Sequence, residues 1–309
     1  MISNDFVSVV IPCYNQGRFL SEAIDSVFNQ THSQHEIIVV DDGSTDLSQS
    51  VARQYGAVRY IYQSNQGVSA ARNAGIRQSR GTYLTFLDAD DRLLPNALAA
   101  GIDCFHKSQS CGFVIGRYRR IATDGSPISG PNRPSGAHDF YDALLRGNII
   151  GVPATVMFRR AAVESVGGFN SRFKMGEDYD LALRIARIFA VVEYDSVVAE
   201  YRRHNQNATL NYRLCLRSSI EVLQEQSNYV RENPQYKMAL RAGITNWKKH
   251  YAEMMIDELR KHVEKHGMSW EAIQQSLSIV RCYPQFLGFG VGAALRNLRR
   301  TLRAGSHEE

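Results

Sequence analysis

The fold is decided by residues 6–46, FVSVVIPCYNQGRFLSEAIDSVFNQTHSQHEIIVVDDGSTD. Residues 6–12 and 36–40 are apolar runs of strand length, as expected of buried strands. The segment between them has apolar residues at helical spacing, which predicts a helix packed by one face on the first strand: Leu20, Ala23, Ile24, Val27 and Phe28. Alternating strands and helices of this kind build a largely parallel sheet.

The same alternation continues along the chain. Asp46 and Gln49 have capping-box spacing and predict the start of a second helix. Pro95 is suited to the first turn of a later helix, and another helix is predicted to begin near Glu177. The remaining elements predicted are strands at 58–62, 82–87, 112–121, 154–158 and 191–201 and a helix at 68–78.

Two segments depart from this rhythm. Residues 122–152 contain several Gly and Pro without an apolar period, which predicts a long functional loop. Beyond residue 215 the strand patterns end and helical patterns follow, with one long helix around residues 240–259, another capped by Ser269 and a last one around 291–302. We therefore expect an α/β domain over residues 1–215, with a mixed, mainly parallel sheet flanked by helices, and a helical appendage over residues 216–309.

The composition of the 309-residue chain, with 44% hydrophobic and 22% charged residues, excludes a disordered or fibrous protein. The five cysteines form no CxxC pair, which disfavours a disulfide framework or a cysteine zinc site and favours a reducing compartment. The amino terminus does not resemble a secretory signal. The longest uncharged apolar stretch, residues 282–295, is too short to span a membrane. These features predict a cytoplasmic protein.

The basic excess lies in the tail. Residues 1–215 carry 22 basic and 21 acidic side chains, and residues 216–309 carry 14 and 10, a modest and local excess that disfavours nucleic-acid binding. Residues 281–303 contain five arginines and no acids, interleaved with apolar side chains. Two interpretations stay open: an amphipathic helix on the inner face of an anionic plasma membrane, or a helix packed on the other tail helices or on a second copy of the chain.

Acidic residues follow the second and fourth strands. Asp41 and Asp42 end one strand, and Asp88, Asp90 and Asp91 follow the other. The carboxyl ends of parallel strands form the ligand-binding edge of an open α/β sheet, and clustered carboxylates need a cation there. Oxygen ligands suit Mg²⁺ or Mn²⁺ completed by substrate phosphates, which predicts a phosphorylated substrate. Asp91, like the earlier Asp46, is expected only to stabilise a turn or cap.

Four motifs occur in order, and together they resemble family 2 glycosyltransferases: VSVVIPCYN at 7–15, VVDDGSTD at 39–46, GVSAARNAG at 67–75 and LDADD at 87–91. The resemblance covers about residues 6–215. It implies a GT-A fold, a nucleotide-diphosphate-sugar donor, a divalent metal (Mn²⁺ or Mg²⁺) and inversion at the anomeric carbon. The resemblance further implies polysaccharide biosynthesis for the cell envelope, with a saccharide or lipid-linked acceptor.

The resemblance also implies roles for single residues. Pro12 and Tyr14 match the contacts to the base, and Asp42 matches the acid that accepts from a pyrimidine imide N–H, which favours a UDP-sugar. Asp88 matches the residue near the ribose and metal, and Asp90 the direct metal ligand. The other predicted nucleotide-sugar-binding residues are Asn15, Arg72, Asn73, Ala89, Glu177 and Arg202.

The catalytic base is predicted from a second pair of motifs. KMGEDYDL at 174–181 resembles the family's ED motif, in which the aspartate, here Asp178, is the base. A helix start lowers the pKa of a carboxyl group, so we expect Asp178 to be enclosed enough to offset that effect. YRRHNQNAT at 201–209 resembles the family's R-x-H segment, in which His204 approaches the metal or diphosphate.

Two other functions share part of this pattern. A sugar nucleotidyltransferase also uses an α/β sheet and magnesium, but it needs a glycine-rich phosphate loop after the first strand, and residues 12–17 contain one glycine. A non-catalytic nucleotide-sugar-binding protein would keep the donor site without the base, whereas Asp178 is present in this chain.

Overall fold

The computed structural model describes residues 5–130, 132, 135–267, 269 and 279. In this part of the chain nine strands form one sheet: β1 (Val7–Cys13), β2 (His35–Asp41), β3 (Val58–Tyr62), β4 (Tyr83–Phe86), β5 (Arg92–Leu93), β6 (Cys111–Ile121), β7 (Pro127–Ser129), β8 (Val156–Arg159) and β9 (Ala190–Arg202). The helices are α1 (Gly17–Phe28), α2 (Ser48–Ala52), α3 (Val68–Gln78), α4 (Ala97–Lys107), α5 (Phe140–Arg146), α6 (Arg160–Ser165), α7 (Glu177–Ala186), α8 (Tyr212–Glu225) and α9 (Pro234–His266).

The strand order positions the site. The sheet runs β3-β2-β1-β4-β8-β6-β9-β5, with β7 paired to β6. Strands β1 to β4 are parallel, β8 is antiparallel to both its neighbours, and β9 is parallel to β6. The chain winds outward from β1 to β3 and then crosses to β4 on the other side of β1. A ligand crevice is expected at the carboxyl ends of β1 and β4, where the winding reverses.

The strand side chains alternate between the two faces of this sheet. Val10, Ile38 and Phe86 belong to a hydrophobic cluster with α3 and α5 to α9, whereas Val9 and Val39 belong to a second cluster with α1 and α4. All five are fully buried. Because these strands are buried on both faces, almost all of their residues are apolar, which explains the continuous apolar runs in the sequence. The predicted mixed α/β fold flanked by helices is confirmed.

Some local predictions are corrected. The predicted long loop at 122–152 contains β7 and the short helix α5. The buried residues of α5, Tyr141, Leu144 and Leu145, follow helical spacing, but seven residues are too few for this periodicity to predict a helix. Phe28 was predicted to pack on the first strand, but its side chain is 43% exposed at the end of α1. Asp46 forms no capping box: helix α2 begins after Leu47, and the Asp46 carboxylate accepts from the backbone N–H groups of Ser48 and Gly17 at 2.9 Å each.

The helices after β9 share the core of the sheet. Position 215, the predicted domain boundary, lies within α8. Val222 and Leu223 of α8 and Leu240 of α9 belong to the same cluster as Phe86 of β4. The long helix predicted around 240–259 is observed as α9. The other two predicted tail helices and the arginines of 281–303 lie outside the described residues, apart from Ser269 and Ile279.

Among the described residues, no helix combines the length and apolar character needed to cross a membrane.

Helix α9 packs so closely on α5 that only glycine fits at position 243. A Cβ atom there would overlap the carbonyl oxygen of Leu145. We expect Gly243→Ala to lower the free energy of unfolding by about 1–3 kcal/mol, because overpacking forces the two helices apart. Urea denaturation measures this change. Gly56→Ala is the control, since its Cβ would meet no atom within 4 Å, and equal stability of the two variants would contradict the tight contact.

Candidate active site

A cavity of about 540 Å³ lies at the switch between β1 and β4 and extends to the start of α7. Its volume is in the range of small-molecule binding sites. The structure brings nine of the predicted site residues to its wall: Pro12, Tyr14, Asp42, Arg72, Asp88, Ala89, Asp90, Glu177 and Asp178. Asn15, Asn73, Arg202 and His204 do not line it.

The wall at β1 and β2 presents a fixed carboxylate beside an aromatic ring. Asp42 is buried, and its oxygens accept from the side-chain amide of Gln63 at 2.7 Å and from the backbone N–H groups of Gln66 at 2.9 Å and Gly67 at 2.8 Å. These donors fix the orientation of the carboxylate. Tyr14 is half exposed and offers a flat surface at the cavity edge.

Only three of the five clustered carboxylates face the cavity. Asp41 is buried behind it, where it accepts from the Tyr60 hydroxyl and the Ser44 N–H at 2.7 Å each. Asp91 accepts from the backbone N–H of Arg202 at 2.8 Å. Asp91 thus stabilises the chain as expected, whereas the expectation that Asp41 joins the rim is wrong because a turn and a tyrosine use both of its oxygens.

Arg72 connects the two halves of the cavity. Its side chain is 2% exposed, and its guanidinium donates to Asp88 Oδ1 at 2.7 Å and to Glu177 Oε1. Asp88 follows β4, and Glu177 begins α7. The charge of Arg72 is therefore committed to two protein carboxylates, and this ion-paired bridge sets their separation.

Two predicted donor-binding asparagines have structural roles instead. Asn73 donates to the carbonyl of Phe169 at 2.8 Å and accepts from the Phe169 N–H at 2.9 Å, which ties α3 to the loop before α7. Asn15, in the left-handed region at φ 54°, accepts from the Thr45 N–H at 2.8 Å. Both amides bind backbone groups, because a side-chain amide can satisfy a loop as readily as a ligand.

Arg202 is likewise buried within the protein. Its guanidinium donates to the carbonyls of Asp90 at 2.9 Å and Thr123 at 2.8 Å and to Glu22 Oε2 at 2.6 Å. No part of Arg202 lines the cavity. The prediction that it binds the donor is corrected: Arg202 holds the loop that carries Asp90.

Asp90 and His204 are hydrogen-bonded to one another. His204 Nδ1 accepts from the Gln206 N–H at 3.2 Å, so Nε2 carries the proton and donates to Asp90 Oδ2 at 2.9 Å. Asp90 faces the cavity and could offer carboxylate oxygen to a divalent cation, whereas His204 could do so only after Nε2 loses its proton. Burial, and then the negative charge of Asp88, raise the pKa of Asp90, while the His204 hydrogen bond opposes this shift.

The remaining ligands would have to come from a substrate. In the described part of the chain no three His, Cys, Asp or Glu residues are gathered to hold a metal by themselves. A site of one or two carboxylates completed by substrate phosphates is the usual magnesium arrangement. The donor set therefore fits Mn²⁺ or Mg²⁺ only in company with a phosphorylated ligand.

Asp178 has the chemistry of a general base. It occupies the first turn of α7 after Gly176, whose φ of 75° requires a residue tolerant of the left-handed region. Asp178 Oδ1 accepts from the Tyr179 N–H at 2.8 Å. Desolvation, followed by the charge of Glu177, raises the pKa of Asp178 to about 7, against the opposing effect of Arg72. Asp178 is half-buried at the cavity wall, and its further enclosure by the acceptor or a closing loop stays a prediction.

Sequence reasoning missed other residues of the cavity wall. Lys174, Tyr201, Thr209 and the backbone of residues 151–153 also line it, and the Tyr201 hydroxyl lies 3.1 Å from Thr209 Oγ1. Lys174 could have been predicted to line the cavity, because it lies close to the ED motif in the sequence. Residues 151–153 gave no signal, because their position depends on the pairing of β8 with β4.

Solved structures share this fold. TarS of S. aureus superposes with a TM-score of 0.63 at 17% identity, covering 91% of this chain and 80% of that one. The mannosyltransferase PcManGT of Pyrobaculum calidifontis, solved with GDP-Man and Mn²⁺, gives a TM-score of 0.60 at 20% identity, covering 94% and 86%. The class defined by this fold is the GT-A glycosyltransferases.

Sequence comparisons give the family. Residues 8–167 match the model of glycosyl transferase family 2, and the chain belongs to that family. The putative teichuronic acid biosynthesis glycosyltransferase TuaG of Bacillus subtilis is 31% identical over 217 residues, 66% of this chain and 82% of TuaG. The chondroitin synthase of Escherichia coli is 27% identical over 277 residues, 88% of this chain and 37% of the synthase. Like that synthase, the first curated relatives are much longer, and the matches span 35–37% of their length.

The Arg72 bridge yields a stability prediction. We expect Arg72→Gln to lower the free energy of unfolding by about 3–5 kcal/mol, because Asp88 and Glu177 would lose their buried countercharge. Denaturant titration at neutral pH measures the loss. Arg77→Gln is the matched control, since Arg77 is exposed on the same helix. A loss no larger than that of the control would contradict the bridge.

Proposed function

We propose that this protein is an inverting glycosyltransferase that moves a sugar from a nucleotide-diphosphate donor, with UDP-sugars favoured, to a hydroxyl group of a saccharide or lipid-linked acceptor. The observation that carries the proposal is one cavity whose wall holds two kinds of carboxyl group. Asp88 and Asp90 offer hard oxygen ligands, and Asp178, a carboxyl group with a pKa of about 7, lines the same cavity.

The donor base binds at the wall formed by β1 and β2. Asp42 is held by three N–H donors, so its remaining lone pairs can accept from the imide N–H of a uracil ring. Tyr14 packs against the base from the cavity edge. A solved structure of TarS holds UDP, which supports a uridine donor.

Asp88 and Asp90, with His204 once its Nε2 has lost its proton, would hold a divalent cation together with the donor diphosphate. When bound, the cation neutralises the charge that develops on the leaving diphosphate. Arg202 and Asp91 keep the Asp90 loop in place through the hydrogen bonds described above. The manganese in the PcManGT complex supports this choice of cofactor.

Asp178 activates the acceptor. Its Oδ1 is engaged by the Tyr179 N–H, which leaves Oδ2 to take the proton from the acceptor hydroxyl as that oxygen attacks the anomeric carbon. Attack occurs opposite the leaving diphosphate, so the configuration inverts. The polysaccharides in the names of TuaG and the chondroitin synthase support a saccharide acceptor.

The competing functions are less well supported. The turn after β1 contains the single Gly17, which disfavours the phosphate loop of a nucleotidyltransferase. A non-catalytic binding protein would not require a carboxyl group, such as that of Asp178, whose pKa is shifted close to neutrality. Contact of the C-terminal helices with a membrane or with a second copy remains a prediction, which vesicle flotation and light scattering can test.

A screen for the donor tests the proposal directly. Thermal-shift measurements with UDP-sugars and other nucleotide sugars, with and without Mn²⁺ or Mg²⁺, should show stabilisation that needs the metal, because ligands that bind the native state raise its apparent stability. Absence of any nucleotide-sugar binding would overturn the proposal.

Asp178→Asn should lower kcat by about 10²–10⁴-fold and leave metal-dependent UDP binding unchanged. In the wild type, kcat should rise with pH through about 7 as Asp178 loses its proton. Initial rates from pH 5 to 9 measure both effects. Full turnover by the variant would remove Asp178 from its role.

The same variant gives a control on folding. The folded-state pKa lies above the usual value of 3.8, so the ionised group destabilises the wild type above pH 7, and this cost disappears as the pH falls from 7 towards 4. Asp178→Asn should therefore have the higher Tm at pH 8, with the difference shrinking at low pH.

Asp90→Asn should weaken Mn²⁺-dependent UDP binding by about 10–100-fold, the range seen when a metal site loses an important group. Isothermal titration calorimetry with and without Mn²⁺ measures it. Asp103→Asn, at an exposed position on α4, is the matched control. Unchanged affinity of the Asp90 variant would exclude Asp90 as a ligand.

A further inference from the structure

The charges of the cavity wall are unbalanced. Its acids are Asp42, Asp88, Asp90, Glu177 and Asp178, and its two cations are Arg72 and Lys174. A metal ion offsets the charge of a bound diphosphate but leaves the excess of protein carboxylates. An additional anion entering this cavity therefore meets repulsion unless a cation of the wall receives it.

Arg72 cannot serve that purpose. It is 2% exposed, and its guanidinium is already paired with Asp88 and Glu177. Lys174 differs in both respects. It is exposed, and no hydrogen bond or ion pair engages its ammonium among the described residues. In the described wall, Lys174 is thus the cation that remains available to a ligand.

The chain around Lys174 is held in place although its side chain is not. The preceding Phe173 is buried, and its carbonyl accepts from the Ser69 hydroxyl at 3.4 Å. Two residues later Gly176 turns the chain into α7, which carries Asp178 four positions after Lys174. The backbone therefore anchors Lys174 beside the predicted base.

Lys174 lines the cavity together with the predicted base. Pro12 and Asp42 lie at the ends of β1 and β2, in the half of the sheet that finishes with β3. Residues 151–153 lie before β8, on the opposite side of β4, and join Lys174 and Asp178 in the cavity wall. Lys174 is four positions before Asp178, so a group that it binds enters the cavity beside the stretch of chain that carries the predicted base.

We propose that Lys174 is a specificity-determining residue that binds an anionic group, a carboxylate or phosphate ester, on the acceptor saccharide. The proposal rests on the proposed function, because it takes Asp178 as the base on the acceptor side. The lysine is flexible and exposed, so one charge-assisted contact should contribute roughly tenfold in affinity. A neutral acceptor would gain nothing from it.

Matched sugars test this preference without knowledge of the natural acceptor. Saturation-transfer NMR on the protein with UDP and Mn²⁺ compares methyl β-D-glucuronide and methyl β-D-glucoside 6-phosphate with the neutral methyl β-D-glucoside. At least one anionic sugar should bind the wild type about tenfold more tightly than the neutral one. If neither does, whether both bind weakly or not at all, the proposal is overturned.

Variants assign the preference to Lys174. Lys174→Gln should abolish it, Lys174→Arg should retain most of it, and Lys107→Gln, at an exposed position on α4, should leave it unchanged. A preference that survives in Lys174→Gln would overturn the assignment.

A calorimetric measurement separates the two sources of anion. UDP affinity with Mn²⁺ should be the same in Lys174→Gln and the wild type. A tenfold loss of UDP affinity in the variant would mean that the lysine serves the donor diphosphate, which would overturn the proposal. Failure of the proposed function has a different signature, namely wild-type protein that does not bind UDP at all.

Discussion

The arrangement of the site depends on one buried guanidinium. Arg72 lies in the interior between Asp88, which follows a central strand, and Glu177, which begins a helix 105 residues after Arg72. Desolvating three charged groups is costly unless they compensate one another, so these elements can approach only in the geometry that pairs them. The bridge fixes the distance between the predicted metal side and the predicted base. It also supplies the positive charge that limits how far the pKa of Asp178 rises.

The cavity is held by a shell of polar side chains that never reach it. Asn73 binds the backbone of the loop before α7, Arg202 binds that of the Asp90 loop, and Asp41 fixes the turn after β2. Each satisfies backbone groups that have no partner in a strand or helix, as buried loops require. The residues that face the ligand can then keep mutually repulsive charges, because hydrogen bonds from behind hold their loops in place.

Seven of the nine strands and most long helices could be predicted from the sequence, because continuous apolar runs and helical spacing are local signals; the short strands β5 and β7 and the helix α8 were missed. Spaced acids likewise allowed Asp42, Asp90 and Asp178 to be placed at one cavity, and their roles there stay predictions. Helix α5 escaped prediction because seven residues give too few turns of periodicity. The roles of Asn73 and Arg202 could not be predicted, since an amide or guanidinium has the same appearance in a sequence whether it binds a ligand or a carbonyl. Their partners, Phe169 and Thr123, are distant in sequence and become neighbours only in the folded chain.

Helices α8 and α9 complete the hydrophobic core beneath the sheet instead of standing apart from it. A gene fusion that joins the first 215 residues to another enzyme's carboxyl-terminal region would therefore leave the hydrophobic side chains of Leu144 and Leu145 without the helix that covers them. Functional hybrids within such a group of enzymes would have to exchange α5 together with the helices that cover it. Recombination between relatives is thus constrained by the fit of this pair of surfaces.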